Sequence, residues 1–277
     1  MIEGIVREHY GVGGLAERIV AGLTATGVDI DRLTVDDLAI IDEFHIGGRQ
    51  ATEHALSKLS LTGDEHVIDV GCGIGGAARF IASQSGCRVT GIDLTPEFIE
   101  AARVLTRLTG LEERVNFQIA SALDMPLADD AFDAAITIHV AMNIRDRDAL
   151  YREIARVLKP GAPLCVYDVM KKGDGPIAFP VPWAESDASS HLTTPEDMRA
   201  LLDDAGFEVG EVEDRTEFAV AYIKQRAATA AATDEPSPLG PQLIMGPTFR
   251  EKFQNLRGNI ASERIGPAQI IARKKTR

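Results

Sequence analysis

The stretch that most constrains this chain is Val67-Ile68-Asp69-Val70-Gly71-Cys72-Gly73-Ile74-Gly75-Gly76. A β-branched run that breaks into four glycines and resumes as Ala77-Ala78-Arg79-Phe80-Ile81-Ala82 predicts a strand, a tight loop and a helix. Gly71, Gly73 and Gly76 satisfy the G-x-G-x-x-G spacing, in which glycines let backbone approach a ligand where a Cβ would collide. From His66 onward the pattern recurs. Strands are expected at Arg88 to Asp93, Val115 to Ile119, Phe132 to Ile138, Leu164 to Val169, Phe207 to Thr216 and Ala268 to Ala272. Helices are expected after Thr95-Pro96, with Thr95 as cap, from Asp148 to Leu158, and from Thr194 to Ala205 with Thr194 as cap. Such alternation builds a parallel sheet from βαβ units.

Two segments fall outside the alternation. Residues 1–62 carry helical patterns, Leu15 to Leu23, Val35 to Asp42 and Ala51 to Leu59, broken by glycines. Residues 218–262 lie between the last two expected strands and hold an alanine-rich helix, Ala219 to Ala232, the proline-rich Pro236-Ser237-Pro238-Leu239-Gly240-Pro241, and a helix near Phe249 to Ile260. The expected organisation is a helical cap over 1–62 and a main domain over 63–277 with a lid inserted at 218–262. A length of 277 residues permits that arrangement as one elaborated domain.

Composition narrows the partners. Lys and Arg number 29 against 42 Asp and Glu, a net charge of −13, which disfavours a grip on nucleic-acid phosphates. The basic run Arg273, Lys274, Lys275 and Arg277 reads as a solvated tail. Cys72, Cys87 and Cys165 cannot all pair and show no metal-ligand spacing, which fits a reduced, cytoplasmic setting. Met1 to Glu8 lack the order of a secretion signal, and no run is long enough to span a membrane. The expected partner is a small molecule, with no nucleic acid, no membrane and no metal. A homodimer is allowed.

Asp69 separates the nucleoside cofactors. A carboxylate two residues before the first glycine repels a pyrophosphate at the helix N-terminus but attracts an ammonium and a sulfonium, favouring S-adenosylmethionine over NAD. Asp93, at the end of the second strand, is placed to accept hydrogen bonds from ribose hydroxyls of either.

Four ordered motifs then carry a resemblance: the glycine loop, Gly91-Ile92-Asp93-Leu94, Leu123-Asp124-Met125-Pro126-Leu127 with Phe132-Asp133, and Arg156-Val157-Leu158-Lys159-Pro160-Gly161. Together they resemble class I S-adenosylmethionine-dependent methyltransferases. The upstream Phe44-His45-Ile46-Gly47-Gly48-Arg49 and His139-Val140-Ala141-Met142-Asn143 are similar to the small-molecule branch acting on sarcosine, dimethylglycine and quinones. The resemblance implies a Rossmann-like, seven-stranded, mostly parallel sheet with its last strand antiparallel. It also implies that Asp69, Gly71 and Gly73 line the methionine end of the cofactor, Asp93 the ribose and Leu94 the adenine. Ser121, where relatives often carry an acid, and Ala122 would meet the adenine amino group, and Gly47 and Gly48 would let the upstream segment close over the cofactor.

Methyl transfer needs an oriented nucleophile, excluded water and, for a protonated amine or a hydroxyl, one general base. His139 and His45 are the candidate bases, with His191 a lesser one; His139 could instead only shape the cofactor pocket. Acceptor selection is expected from Tyr167, Asp168, Asn143, the 218–262 insertion and Trp183, which would cover the pocket or face a cation. Arg49 and Arg145 are available to a carboxylate. The expected acceptor is an amine or amino-acid derivative, in keeping with the acidic balance; a phenol, quinone, polyketide or thiol is the alternative. An NAD-linked oxidoreductase and a catalytically silent binding protein are the competing readings.

Overall fold

The structure is a computed structural model that describes residues 14–231 and 238–276. The expectations on Met1 to Glu8, Ala232, Pro236, Ser237 and Arg277 lie outside the described residues. Seven strands form one sheet: β1 (His66–Val70), β2 (Arg88–Asp93), β3 (Val115–Ile119), β4 (Ala134–Ile138), β5 (Pro163–Lys171), β6 (Phe207–Asp214) and β7 (Ile265–Lys274). Their order is β3-β2-β1-β4-β5-β7-β6. β7 runs antiparallel to β5 and β6, while the strands from β3 to β5 pair in parallel. This agrees with the sheet that the motifs imply.

Strands covered on both faces read as unbroken apolar runs rather than alternations. β1 is covered on both faces, and its Val67, Ile68 and Val70 are fully buried around the functional exception Asp69. Its Ile68 and Val70 pack towards Leu150 and Ile154 of α6 (Arg147–Val157) and Leu202 of α7 (Pro195–Asp204). Val67 points the other way, towards Ala78 and Ile81 of α4 (Gly76–Ser85) and Ile99 of α5 (Pro96–Leu108).

Several boundaries differ from the expected ones for identifiable reasons. β6 stops at Asp214, whose Oδ1 accepts from the Thr216 N–H and turns the chain directly into α8 (Thr216–Ala231). β7 is ten residues long rather than a short strand, because it pairs along the whole length of β5. Its end absorbs the basic run: Lys274 pairs with Asp130 and Lys275 with Asp203, so these are docked side chains rather than a free tail. Thr194 caps α7 as expected, accepting from the Asp197 N–H. Thr95 does not cap α5; the Thr95 N–H instead donates to Asp93 Oδ1 at 2.8 Å.

The helices before the sheet are α1 (Leu15–Ala25), α2 (Ala39–Asp42) and α3 (Gly48–Leu59). Leu15, Ile19 and Leu23 of α1 share a core with Phe98, Ala101 and Leu105 of α5. The same core takes in Leu239 and, from α9 (Gln242–Met245), Ile244. The chain after β6 therefore packs on the chain before β1, and both stand over the carboxyl ends of the strands. A last helix, α10 (Phe249–Ala261), leads into β7. Its buried Asn259 exchanges two 2.9 Å hydrogen bonds with the backbone of Ala178, and Lys252 pairs with Glu185.

Candidate cofactor and acceptor site

The glycine loop is held open by contacts its glycines make possible. Gly71 has φ +77°, and a Cβ there would lie 2.3 Å from Val140. Gly73 has φ +53°, and a Cβ there would lie 3.6 Å from Phe44, an ordinary contact, so its backbone conformation rather than crowding favours glycine. At Gly76 a Cβ would collide with the Asp42 carbonyl, so the third glycine admits the upstream segment rather than a ligand. That segment is clamped from beneath. Buried Arg79 donates to both Asp42 carboxylate oxygens, to the carbonyls of Ile74 and Ala102, and to Thr106 Oγ1.

A cavity of about 740 Å³ opens above the loop. Asp69, Gly71, Gly73, Asp93, Leu94, Ser121, Ala122, His139, His45, Asn143 and Trp183 all line it, as does Arg145. Gly47, Gly48, Tyr167, Arg49, Asp168 and His191 do not. Gly47 and Gly48 face Phe218 and Tyr222 of α8, so their lack of side chains accommodates the helix after β6. The residues that reach over the loop are instead Asp42 to Ile46. The Tyr167 hydroxyl donates to the Ile46 carbonyl at 2.9 Å, and Asp168 accepts from the Met142 and Val169 N–H groups. Arg49 is taken up by Glu43 and Asp36.

The cavity has two chemically distinct ends. Near the loop lie the carboxylates of Asp69, Asp93 and Glu43. Asp93 Oδ2 accepts from the Gly73 N–H at 3.0 Å, which sets the loop against β2. Asp69 is 2% exposed and its Oδ2 has no hydrogen-bond partner. Burial, with Asp93 and Glu43 nearby, pushes its carboxyl up to about 7. A buried carboxylate oxygen without a partner is costly unless a donor or a cation meets it, and the ammonium of an amino-acid moiety satisfies that need. The residues fit S-adenosylmethionine: glycine backbone for close approach, Asp93 for ribose, Leu94 and Phe98 as apolar walls. Ser121 Oγ already accepts from the Leu123 N–H, so it helps to shape the turn there. Glu43, absent from the sequence reading, is anchored by Arg49 and by Thr52 Oγ1 at 2.7 Å.

The other end is framed by the chain after β6, with Ile223 of α8, Met245 of α9, Phe253 and Leu256 of α10, and Trp183. The Trp183 N–H donates to Ser190 Oγ, and the indole is buried with Ile46, Met142 and Val169. It is a wall that shares its cluster with Phe179 and Phe253.

His139 sits where the two ends meet. Its φ of +56° is a left-handed conformation that costs about 1–3 kcal/mol outside glycine, a kind of strain that gathers at functional sites. Its N–H is held by the Tyr167 carbonyl at 2.8 Å and its ring stacks on Tyr167 at 5.3 Å. Nε2 is buried and has no partner. Burial, together with His45, holds the imidazole well below its ordinary pKa. The His45 ring lies 5.8 Å away, but its Nε2 is already engaged by the Gly48 carbonyl and Thr52 Oγ1.

A doubly covered, mostly parallel sheet with a cavity at its carboxyl edge is the arrangement in which open α/β sheets bind nucleoside cofactors. The methyltransferase-domain family matches residues 68–166. The chain is 34% identical to the methyltransferase GfsG of Streptomyces halstedii over 65% of this chain and 66% of that protein. It is 31% identical to norajmaline N-methyltransferase of Rauvolfia serpentina over 68% and 61%, respectively. The match spans less than two thirds of either relative's length. It is also 31% identical to the O-methyltransferase resE of Aspergillus sclerotiorum, over 65% of this chain and 68% of that protein. Among solved structures, the [4+2]-cyclase SpnF superposes with a TM-score of 0.68 at 24% identity, covering 100% of this chain and 98% of that one, a likeness of fold. The chain belongs to the S-adenosylmethionine-dependent methyltransferases of small-molecule type, and S-adenosylmethionine is its cofactor.

Proposed function

We propose that this enzyme methylates a hydroxyl group on a largely apolar small molecule. The observation that carries the reading is His139: a half-buried imidazole that lines the cavity, held neutral by its surroundings, whose Nε2 has no hydrogen-bond partner. Bound S-adenosylmethionine supplies an activated methyl group. The residues do the rest. Asp69 meets the cofactor's ammonium, Asp93 accepts from ribose hydroxyls, and the main chain of Gly71 and Gly73 permits close approach. Residues 40–46 and the helices between β6 and β7 act as cap and lid and keep water from the reacting centre. His139 takes the proton that the acceptor hydroxyl loses as it becomes a nucleophile.

An amine acceptor, the expectation from the resemblance to sarcosine and dimethylglycine methyltransferases with which the acidic balance agrees, is less well served. Among the described lining residues of the lid none is acidic, so a protonated amine meets no carboxylate there. The acids cluster at the cofactor end. The test is transfer of a labelled methyl group to matched acceptors that share one apolar skeleton and carry a hydroxyl, an amine or a thiol. Label on the hydroxyl member is the expected result; label confined to the amine would overturn the proposal.

A further inference from the structure

The lid carries a charge pattern that the proposed chemistry leaves unused. Four arginines line the cavity: Arg226 from α8, Arg250 and Arg257 from α10, and Arg145 from the loop after β4. None has an ion pair to a described residue, in a chain whose acids outnumber its bases by 42 to 29. On α10 the lining residues Arg250, Phe253, Gln254 and Arg257 fall at i, i+3, i+4 and i+7, one stripe of one helix face. The four arginines are exposed, whereas Trp183, Met245 and Leu256 of the same lining are buried. No acid lines this half of the cavity among the described residues.

An ordinary solvated face would alternate signs or point away from a cavity. Here four exposed cations share one cavity lining with the carboxylates of Asp69, Asp93 and Glu43 and with the apolar side chains of Phe253, Leu256 and Trp183. We infer that the acceptor is an amphipathic anion: an apolar body that enters past Phe253 and Trp183, and one anionic group that stays at the mouth against Arg226, Arg250 and Arg257. Guanidinium forks bind a carboxylate, sulfonate or phosphate through paired donors and remain charged at every working pH. The anion sets the direction of entry, because the carboxylate end repels it and the arginine end retains it. The acceptor's reactive group therefore leads, towards His139. This inference rests on the proposed methyl transfer, since it assigns the lid half of the cavity to the acceptor.

The test uses two fluorescent probes with the same apolar frame, 8-anilinonaphthalene-1-sulfonate and uncharged N-phenyl-1-naphthylamine, titrated into the enzyme loaded with S-adenosylhomocysteine. The anionic probe is expected to bind about tenfold more tightly, and to lose most of that preference at 0.5 M salt. In the variant Arg226→Gln/Arg250→Gln/Arg257→Gln the preference is expected to fall below about twofold, with the neutral probe unaffected. Equal affinities in the unmodified enzyme, or a preference insensitive to both salt and the three substitutions, would overturn the inference. Failure of S-adenosylhomocysteine to bind the unmodified enzyme would instead overturn the methyl-transfer reading, so the two outcomes are distinct.

Discussion

Replacing His139 with Gln is expected to lower kcat by about 10²- to 10⁴-fold, the usual contribution of a positioned general base, while KM for the acceptor changes little. The pH profiles carry the distinction from a merely structural effect. Burial holds the His139 imidazole well below its ordinary value, so it is neutral across pH 6–8, and kcat of the unmodified enzyme should be flat there and fall only in acid. Without the imidazole, turnover depends on the small fraction of acceptor hydroxyl that ionises unaided. The His139→Gln variant should therefore gain activity steadily as pH rises. His45 lies next to His139, but its Nε2 is bound to the Gly48 carbonyl and Thr52 Oγ1, so it is not free to take a proton from the acceptor. A His139→Gln enzyme within about threefold of the original, with the same flat profile, would show that the ring only fills the wall.

The second large effect is expected beneath the site. Arg79 and Asp42 are both fully buried as side chains and pair at 2.5 Å. Removing one partner of such a pair leaves the other charge stranded, at a cost of about 3–5 kcal/mol. Arg79→Met is expected to lose that much stability in urea unfolding, and Asp42→Leu a comparable amount. The double variant, which strands no charge, should be more stable than either single one. The pair also fixes where Phe44 and His45 lie, since Asp42 rests on Gly76 and the next residues reach over the loop. Cofactor affinity should fall in the single variants in step with stability. Single variants that lose less than about 1 kcal/mol would contradict the clamp.

These two side chains mark what could and could not be read from the sequence. The glycine loop, Asp69 and Asp93 were legible because strand, turn and helix are local and the chemistry of each residue is set by its place in that unit. The boundary before α8 was not, because the Asp214 turn onto Thr216 competes with an apolar run that looks like continuing strand. The face of β5 was illegible for a different reason. All residues from Pro163 to Met170 are buried, so alternation gives no sign of which side looks into the cavity. Tyr167 turned out to hold Ile46 and to support the His139 ring from behind. Gly47 and Gly48 do provide close approach, but to Phe218 and Tyr222, a contact across about 170 residues of sequence. Asp42 with Arg79, Glu43 with Arg49, and the arginines of the lid share this non-local character. A charged residue read alone looks like solvated surface, and only the fold reveals what it faces.

The central claim is that this cavity binds a cationic cofactor through the ionised Asp69 carboxylate. In the free protein burial, with Asp93 and Glu43 nearby, pushes that carboxyl up to about 7, and a bound ammonium stabilises the charged form and lowers its pKa. On the carboxyl side the affinity is therefore lost as pH falls through about 7, and on the amino side as pH rises through the titration of the cofactor's own ammonium. Calorimetric titration of S-adenosylmethionine in buffers of different ionisation enthalpy measures this directly. Between pH 5.5 and 7 the cofactor's own amino group, which titrates at about 7.7–8.0, stays charged. Affinity should rise about tenfold over that interval, and binding at pH 5.5 should release close to one proton. Asp69→Asn should weaken binding by about 1.5–3 kcal/mol and abolish the proton release. Binding that is flat with pH, releases no proton and survives Asp69→Asn would contradict the account.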